Sequence, residues 1–163
     1  MNRIVLEIFA AVALTMAAII ALAAGARAGD IEVGQAYARA SATPGARTAS
    51  LYLTLTNRGS SPDRLVAVAT EAAQMAHVHE TTNTDGVMKM RMADGIDLAP
   101  GASVALKPGG LHIMLMGLRA PLKKGETLEL RLTFETSDEM KITVPIGGVA
   151  ANSPDQAAGS SGN

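Results

Sequence analysis

The chain contains no cysteine. That absence excludes disulfides, thiolate zinc sites, iron–sulfur clusters and a cysteine nucleophile. It also excludes a blue-copper electron-transfer site, which needs a cysteine ligand. Tryptophan is missing as well, and only two Tyr and two Phe are present, so bases would find no aromatic platform to stack on. Neither sign of charge dominates, with 14 Lys and Arg against 15 Asp and Glu. No basic stripe runs along the chain, and nucleic acid is not an expected partner. No Ser–His–acid or paired-carboxylate constellation can be assembled, so no enzyme activity is expected.

What is present begins with an apolar run from Ile8 to Ala24, preceded by Arg3 and followed by Ala26-Arg27-Ala28. This layout reads as a signal peptide over residues 1–28, cleaved after Ala28. An uncleaved N-terminal anchor is the alternative. Either fate exposes the domain to an oxidising compartment. The tail over 147–163 is rich in Gly, Ala and Ser, lacks large apolar residues, and is expected to be disordered.

Residues 29–146 form the expected domain. Leu51, Leu53 and Leu55 alternate with Tyr52, Thr54 and Thr56; Leu128, Leu130, Leu132 and Phe134 alternate with Glu129, Arg131 and Thr133; Ile142, Val144 and Ile146 alternate with Lys141 and Thr143. Period two marks half-buried strands. Turn signals separate them, among them Asn57-Arg58-Gly59-Ser60, Asp85-Gly86 and Pro108-Gly109-Gly110. About eight short strands and no helical period predict an all-β sandwich or Greek-key barrel.

Methionine is plentiful and unevenly placed. Of nine Met, Met1 and Met16 fall in the signal segment, and six of the other seven lie between Met75 and Met116, as do all three His. Filler methionine would scatter through a core, so this clustering needs a local cause. A hairpin centred between Thr84 and Asp85 would set His79 opposite Met90 and His77 opposite Met92, with Cβ atoms about 5 Å apart. A bulge at Gly86 would shift that register. His112 and Met114, two residues apart, project from one face of the next strand, and Met116 continues the row. Together His79, Met90, His112 and Met114 would make a set of two imidazoles and two thioethers. His77 reads as a surface or supporting residue, with a spare ligand as the alternative, Met88, Met92 and Met116 as apolar shielding, and Met75 as core.

Thioether sulfur is neutral and polarisable, a poor ligand for Zn²⁺, Mg²⁺ or Ca²⁺ and a good one for Cu(I). The expected cargo is one Cu(I) per chain. Without thiolates such a site resists oxidation outside the cytoplasm, and it can release its metal to a thiolate-rich acceptor.

The chain resembles the periplasmic copper chaperones called PCuAC. Their signature is His, ten residues, Met, twenty-one residues, His-x-Met, and it is met in full by His79, Met90 and His112-Ile113-Met114. Leu51-Tyr52-Leu53, Asp63-Arg64-Leu65, Val87-Met88-Lys89-Met90-Arg91 and Pro108-Gly109-Gly110-Leu111-His112 also look like that family. The resemblance implies a cupredoxin-like Greek-key barrel in the periplasm, with Cu(I) on those four positions and no membrane contact after signal cleavage. It further implies delivery of copper to the CuA centre of cytochrome c oxidase. The partner would be subunit II of that oxidase or an assembly factor with thiolate ligands. Two departures stand out: Tyr37 occupies a position where many members carry Trp, and the tail lacks the His and Met of an additional copper site. Copper buffering without dedicated delivery is the alternative function, and a metal-free binding β-domain is a more distant one.

Overall fold

The computed structural model describes residues 30–153. The expected signal peptide and the tail beyond Ser153 lie outside the described residues. Ten strands follow one another: β1 (Ile31–Arg39), β2 (Thr48–Asn57), β3 (Asp63–Ala69), β4 (Ala73–Thr84), β5 (Val87–Met92), β6 (Ile96–Leu98), β7 (Ser103–Leu106), β8 (Leu111–Leu118), β9 (Thr127–Phe134) and β10 (Met140–Gly147). No helix occurs among the described residues. The all-β class is as the period-two pattern requires. The count exceeds the expected eight because β6 and β7 span only three and four residues, too short for alternation to show.

Strand order is β5-β4-β8-β2-β1-β10-β9-β3-β6, with β7 also on β2. One layer holds β5, β4, β8, β2 and β1; the other holds β10, β9, β3 and β6. The parallel pairing of Ala38 with Ile146 and Arg39 with Gly147 joins them. The inward leucines of both layers meet between them. Leu51, Leu55, Leu65, Leu115, Leu130 and Leu132 are fully buried, each worth about 1.5–3 kcal/mol of transfer free energy.

Buried polar groups pin the loops at one end. The Asn57 side-chain amide donates to the carbonyls of Ser61 and Leu98, and its oxygen accepts the Gly59 N–H. Asp63 accepts the backbone N–H groups of Arg64, Thr136 and Ser137. Burial by itself would raise the Asp63 pKa, but these hydrogen bonds, with one from the Ser137 hydroxyl, outweigh it and hold the carboxyl below its ordinary 3.8. A depressed carboxylate stabilises the fold above its unfolded pKa, and this contribution is lost as pH falls through the folded value. Asp63→Asn is therefore expected to cost about 1–3 kcal/mol at neutral pH. Urea melts at neutral pH and near pH 3 should show the difference from wild type shrinking in acid. A difference that does not change with pH would contradict this role.

Two features of the fold shape the outer face of the first layer. β7 and β8 both run antiparallel to β2 on the same edge, pairing with Leu53–Thr56 and Thr48–Leu51. They are one long strand broken opposite Tyr52 by the excursion through Pro108-Gly109-Gly110, where Gly109 has φ +82°. That segment reads in sequence as a turn between strands, and it is one: the Gly110 N–H donates to the Lys107 carbonyl and closes an outward turn between β7 and β8. The second feature is the start of the tail, expected to be disordered from Gly147. Gly147 closes β10, Ala151 is buried against Tyr37 and Tyr52, and Arg39 donates to the Ala151 carbonyl and the Asn152 side chain. Small side chains suffice there because the tyrosine rings supply the apolar area.

Candidate metal centre

The β4–β5 hairpin closes through Asp85 and Gly86, at φ +54° and +81°. Two successive left-handed residues make a tight two-residue turn suited to Asp-Gly. Thr84 and Val87 become the closing pair, so the turn is centred one residue later than expected. Each β4 residue thus meets a partner two positions further along β5. His79 lies opposite Met92, not Met90, and Met90 lies opposite Thr81. Because the slip is two and not one, the faces are preserved. Met88, Met90 and Met92 still share a side of the sheet with His79.

β8 lies on the other edge of β4. His79 pairs directly with His112, His77 with Met114, and Met75 with Met116. The outer face of β5-β4-β8 therefore gathers all three histidines and all six methionines of the cluster. The two imidazoles of the expected set have ring centroids 6.0 Å apart. Met114 stands one row to one side on β8, and Met90 one row to the other side on β5. A cleft of about 350 Å³ between loop and hairpin is lined by Met90, His112, Tyr52 and Pro108 among others. The four candidate ligands thus occupy three adjacent rows of one face, with Met90 and His112 lining the cleft and Met92 as a further thioether directly across from His79. Met75, expected in the core, is 52% exposed on this outer face. Its strand neighbour Ala76 takes the inward position.

The two histidines differ in state. His112 is buried at 5% exposure, and its Nδ1 lies 3.1 Å from the Gly110 carbonyl. A carbonyl only accepts, so Nδ1 carries the proton and Nε2 keeps the lone pair. The Gly110 carbonyl also accepts the Thr81 N–H, which ties the outward loop to both strands. His79 has neither ring nitrogen hydrogen-bonded, although both atoms are shut off from solvent. Burial, then the nearby His112 and His77, push its pKa below the ordinary 6.5, so the ring is neutral at physiological pH. A buried, neutral imidazole with no partner is costly to keep, and a metal ion would satisfy it.

Among the described residues, no three His, Cys, Asp or Glu side chains converge where a metal could sit. On the rows around His79 and His112 the further soft donors are Met92 in the same row, Met90 one row away on β5, and Met114 one row away on β8 beside His77. The edge strand β5 is open to solvent, with Met90 and Met92 more than half exposed. Glu80 and Arg91 pair on the opposite side of the hairpin, and the charged side chains that border the cleft are the cations Arg39 and Lys89.

The family model for LpqE-like lipoproteins matches residues 31–146. A protein of Leifsonia xyli subsp. xyli named as a lipoprotein, Lxx21020, is 32% identical over 123 residues, or 75% of this chain and 72% of its own length. The copper-bound PCuAC domain of PmoF2 is similar in structure with a TM-score of 0.62 and 26% identity, over 75% of this chain and 96% of that one. The Cu(I) form of DR1885 from Deinococcus radiodurans is similar with a TM-score of 0.54 and 31% identity, over 83% of this chain and 88% of that one.

Proposed function

This chain belongs to the LpqE-like family of PCuAC type, and we propose that its β-domain carries Cu(I) outside the cytoplasm on His79, Met90, His112 and Met114. The observation that carries the reading is the solvent-excluded pair of His79 ring nitrogens without a partner, beside His112 and bordered by uncharged thioethers. Two structural neighbours are described as copper-bound PCuAC and Cu(I) DR1885, which supports extending copper to this chain. Export follows from the signal-like N-terminal segment and the lipoprotein names of the relatives. The 163 residues hold no cysteine, so none of them can carry a thiol-linked lipid.

We read the protein as a carrier and not as an enzyme. A half-exposed methionine arm over two fixed imidazoles lets an incoming thiolate displace one thioether at a time. Delivery to the CuA centre of cytochrome c oxidase is the destination we propose. The acceptor is then its thiolate-bearing subunit or an assembly factor. Copper buffering uses the same side chains. Loss of oxidase activity in a deletion strain at low copper supports delivery, and sensitivity to excess copper alone supports buffering.

The direct test is anaerobic titration against a competing chelator. The site is expected to take one Cu(I) and to bind Zn²⁺ much more weakly, because its thioethers favour the softer ion. Met90→Leu should weaken Cu(I) binding by tenfold or more while leaving the apo melting temperature unchanged, since Met90 is 54% exposed. Equal or tighter Zn²⁺ binding, or a Met90→Leu variant with wild-type Cu(I) affinity, would sink the assignment.

A further inference from the structure

Three soft donors on the same face have no part in the proposed site. Met75 pairs directly with Met116 across β4 and β8, and His77 lies in the next row, paired with Met114. Directly opposed side chains have Cβ atoms about 5 Å apart, and successive same-face rows are about 7 Å apart. The flexible thioethers of Met75 and Met116 can close on a shared ion, and the His77 ring reaches the same point from one row away. Continuing onto β2, Thr48 pairs with Met116 and Ser50 with Met114. No carboxylate shares these rows, so a hard cation would find no counter-charge.

Packing does not account for methionine here. Met75 is 52% exposed. Outward positions on the other strands carry Thr54, Thr56, Glu129, Arg131, Lys141 and Thr143, the usual polar choice for a solvated sheet face. The core is filled by leucine, valine and isoleucine on the opposite face. Thioethers and an imidazole in adjacent rows, with no carboxylate beside them, favour a soft ion such as Cu(I).

We propose that Met75, His77 and Met116 form a second Cu(I) site, one row beyond His79–His112. It is weaker than the first, because it is three-coordinate and Met75 is 52% exposed. The face then forms a short ladder, and an ion can move from one row to the next by exchange of Met114 between them. The copper stays Cu(I) throughout, so no electron or proton is required.

The full exported protein, with methionine methyl groups labelled, is titrated anaerobically with Cu(I) and followed by NMR. The first equivalent should shift the Met90 and Met114 methyl signals, and the second those of Met75 and Met116. Met75→Leu with Met116→Leu conserves volume and should lower the bound copper from two ions to one, at an unchanged melting temperature. A His79→Ala, His112→Ala variant should still move the Met75 and Met116 signals with one equivalent. Wild type saturating at one ion with those two signals unmoved would overturn the second site, as would a Met75/Met116 variant that still binds two. Movement of Met75 and Met116 with Met90 and Met114 silent would instead uphold this site and refute the first.

Discussion

Replacing His79 by Leu is expected to abolish tight Cu(I) binding and, at the same time, to make the metal-free protein more stable. The two effects share one cause. His79 has two buried ring nitrogens without partners, and each unsatisfied buried polar group costs about 1–3 kcal/mol. An apolar side chain of similar size removes that penalty. The loss of copper affinity should exceed about 100-fold, above the 10–100-fold typical when only the support behind a ligand is removed. His112→Ala should lose copper to a similar degree but destabilise the apo protein. That ring is buried, and its Nδ1–H is satisfied by Gly110. Apo melting curves and chelator competition on the two variants provide the comparison. A destabilised His79→Leu protein would mean that the ring is a packing residue, and retained copper binding would mean that it is not a ligand.

The second large effect is on pH. An imidazole coordinates only when its binding nitrogen is unprotonated, whereas a thioether does not titrate in this range. Burial, then His112 and His77, hold the His79 pKa below 6.5. Protons therefore compete for this ring less than for a free imidazole, and its contribution to affinity persists to lower pH. Well below the apo pKa values, log affinity should fall with a slope of about two per pH unit if both His79 and His112 coordinate, and about one if a single histidine does. For the apo protein the sign is the same. The unfolded chain binds the His79 proton more readily than the folded one, so stability is complete above about 6.5 and declines as pH falls through the depressed value. Cu(I) affinities from mildly acidic to neutral pH, in wild type and in His77→Ala, decide the ligand set. A flat profile would exclude both histidines, and a slope reduced by His77→Ala would bring His77 into the first site.

Much of this was readable along the chain. Leucines at 51, 53 and 55 and at 128, 130 and 132 alternate with polar residues, and the structure buries all six. Alternation is a property of the backbone pleat, so it survives whatever the strands pack against. The spacing of His112 and Met114 likewise placed both on one face before any partner strand was known. Asp85-Gly86 announced the hairpin, but its register follows from the two left-handed residues of the turn. A search for facing pairs centred one residue early therefore set Met90, and not Met92, opposite His79.

The sequence, then, was enough for the strand class, the inward and outward faces and the identity of the soft donors, because each of these depends on residue type and local period. Three things needed the folded chain. β4 meets β8 although β5, β6 and β7 intervene, and only that pairing brings His79 against His112 and Met75 against Met116. The break between β7 and β8 turns the Gly110 carbonyl toward His112 and leaves the cleft beside Tyr52. And the two His79 ring nitrogens end up shut off from water with nothing to bond, a circumstance set by the neighbours that long-range pairing delivers. Contacts between residues far apart in the chain carry no local signature, since the period of each strand is the same whichever strand lies beside it.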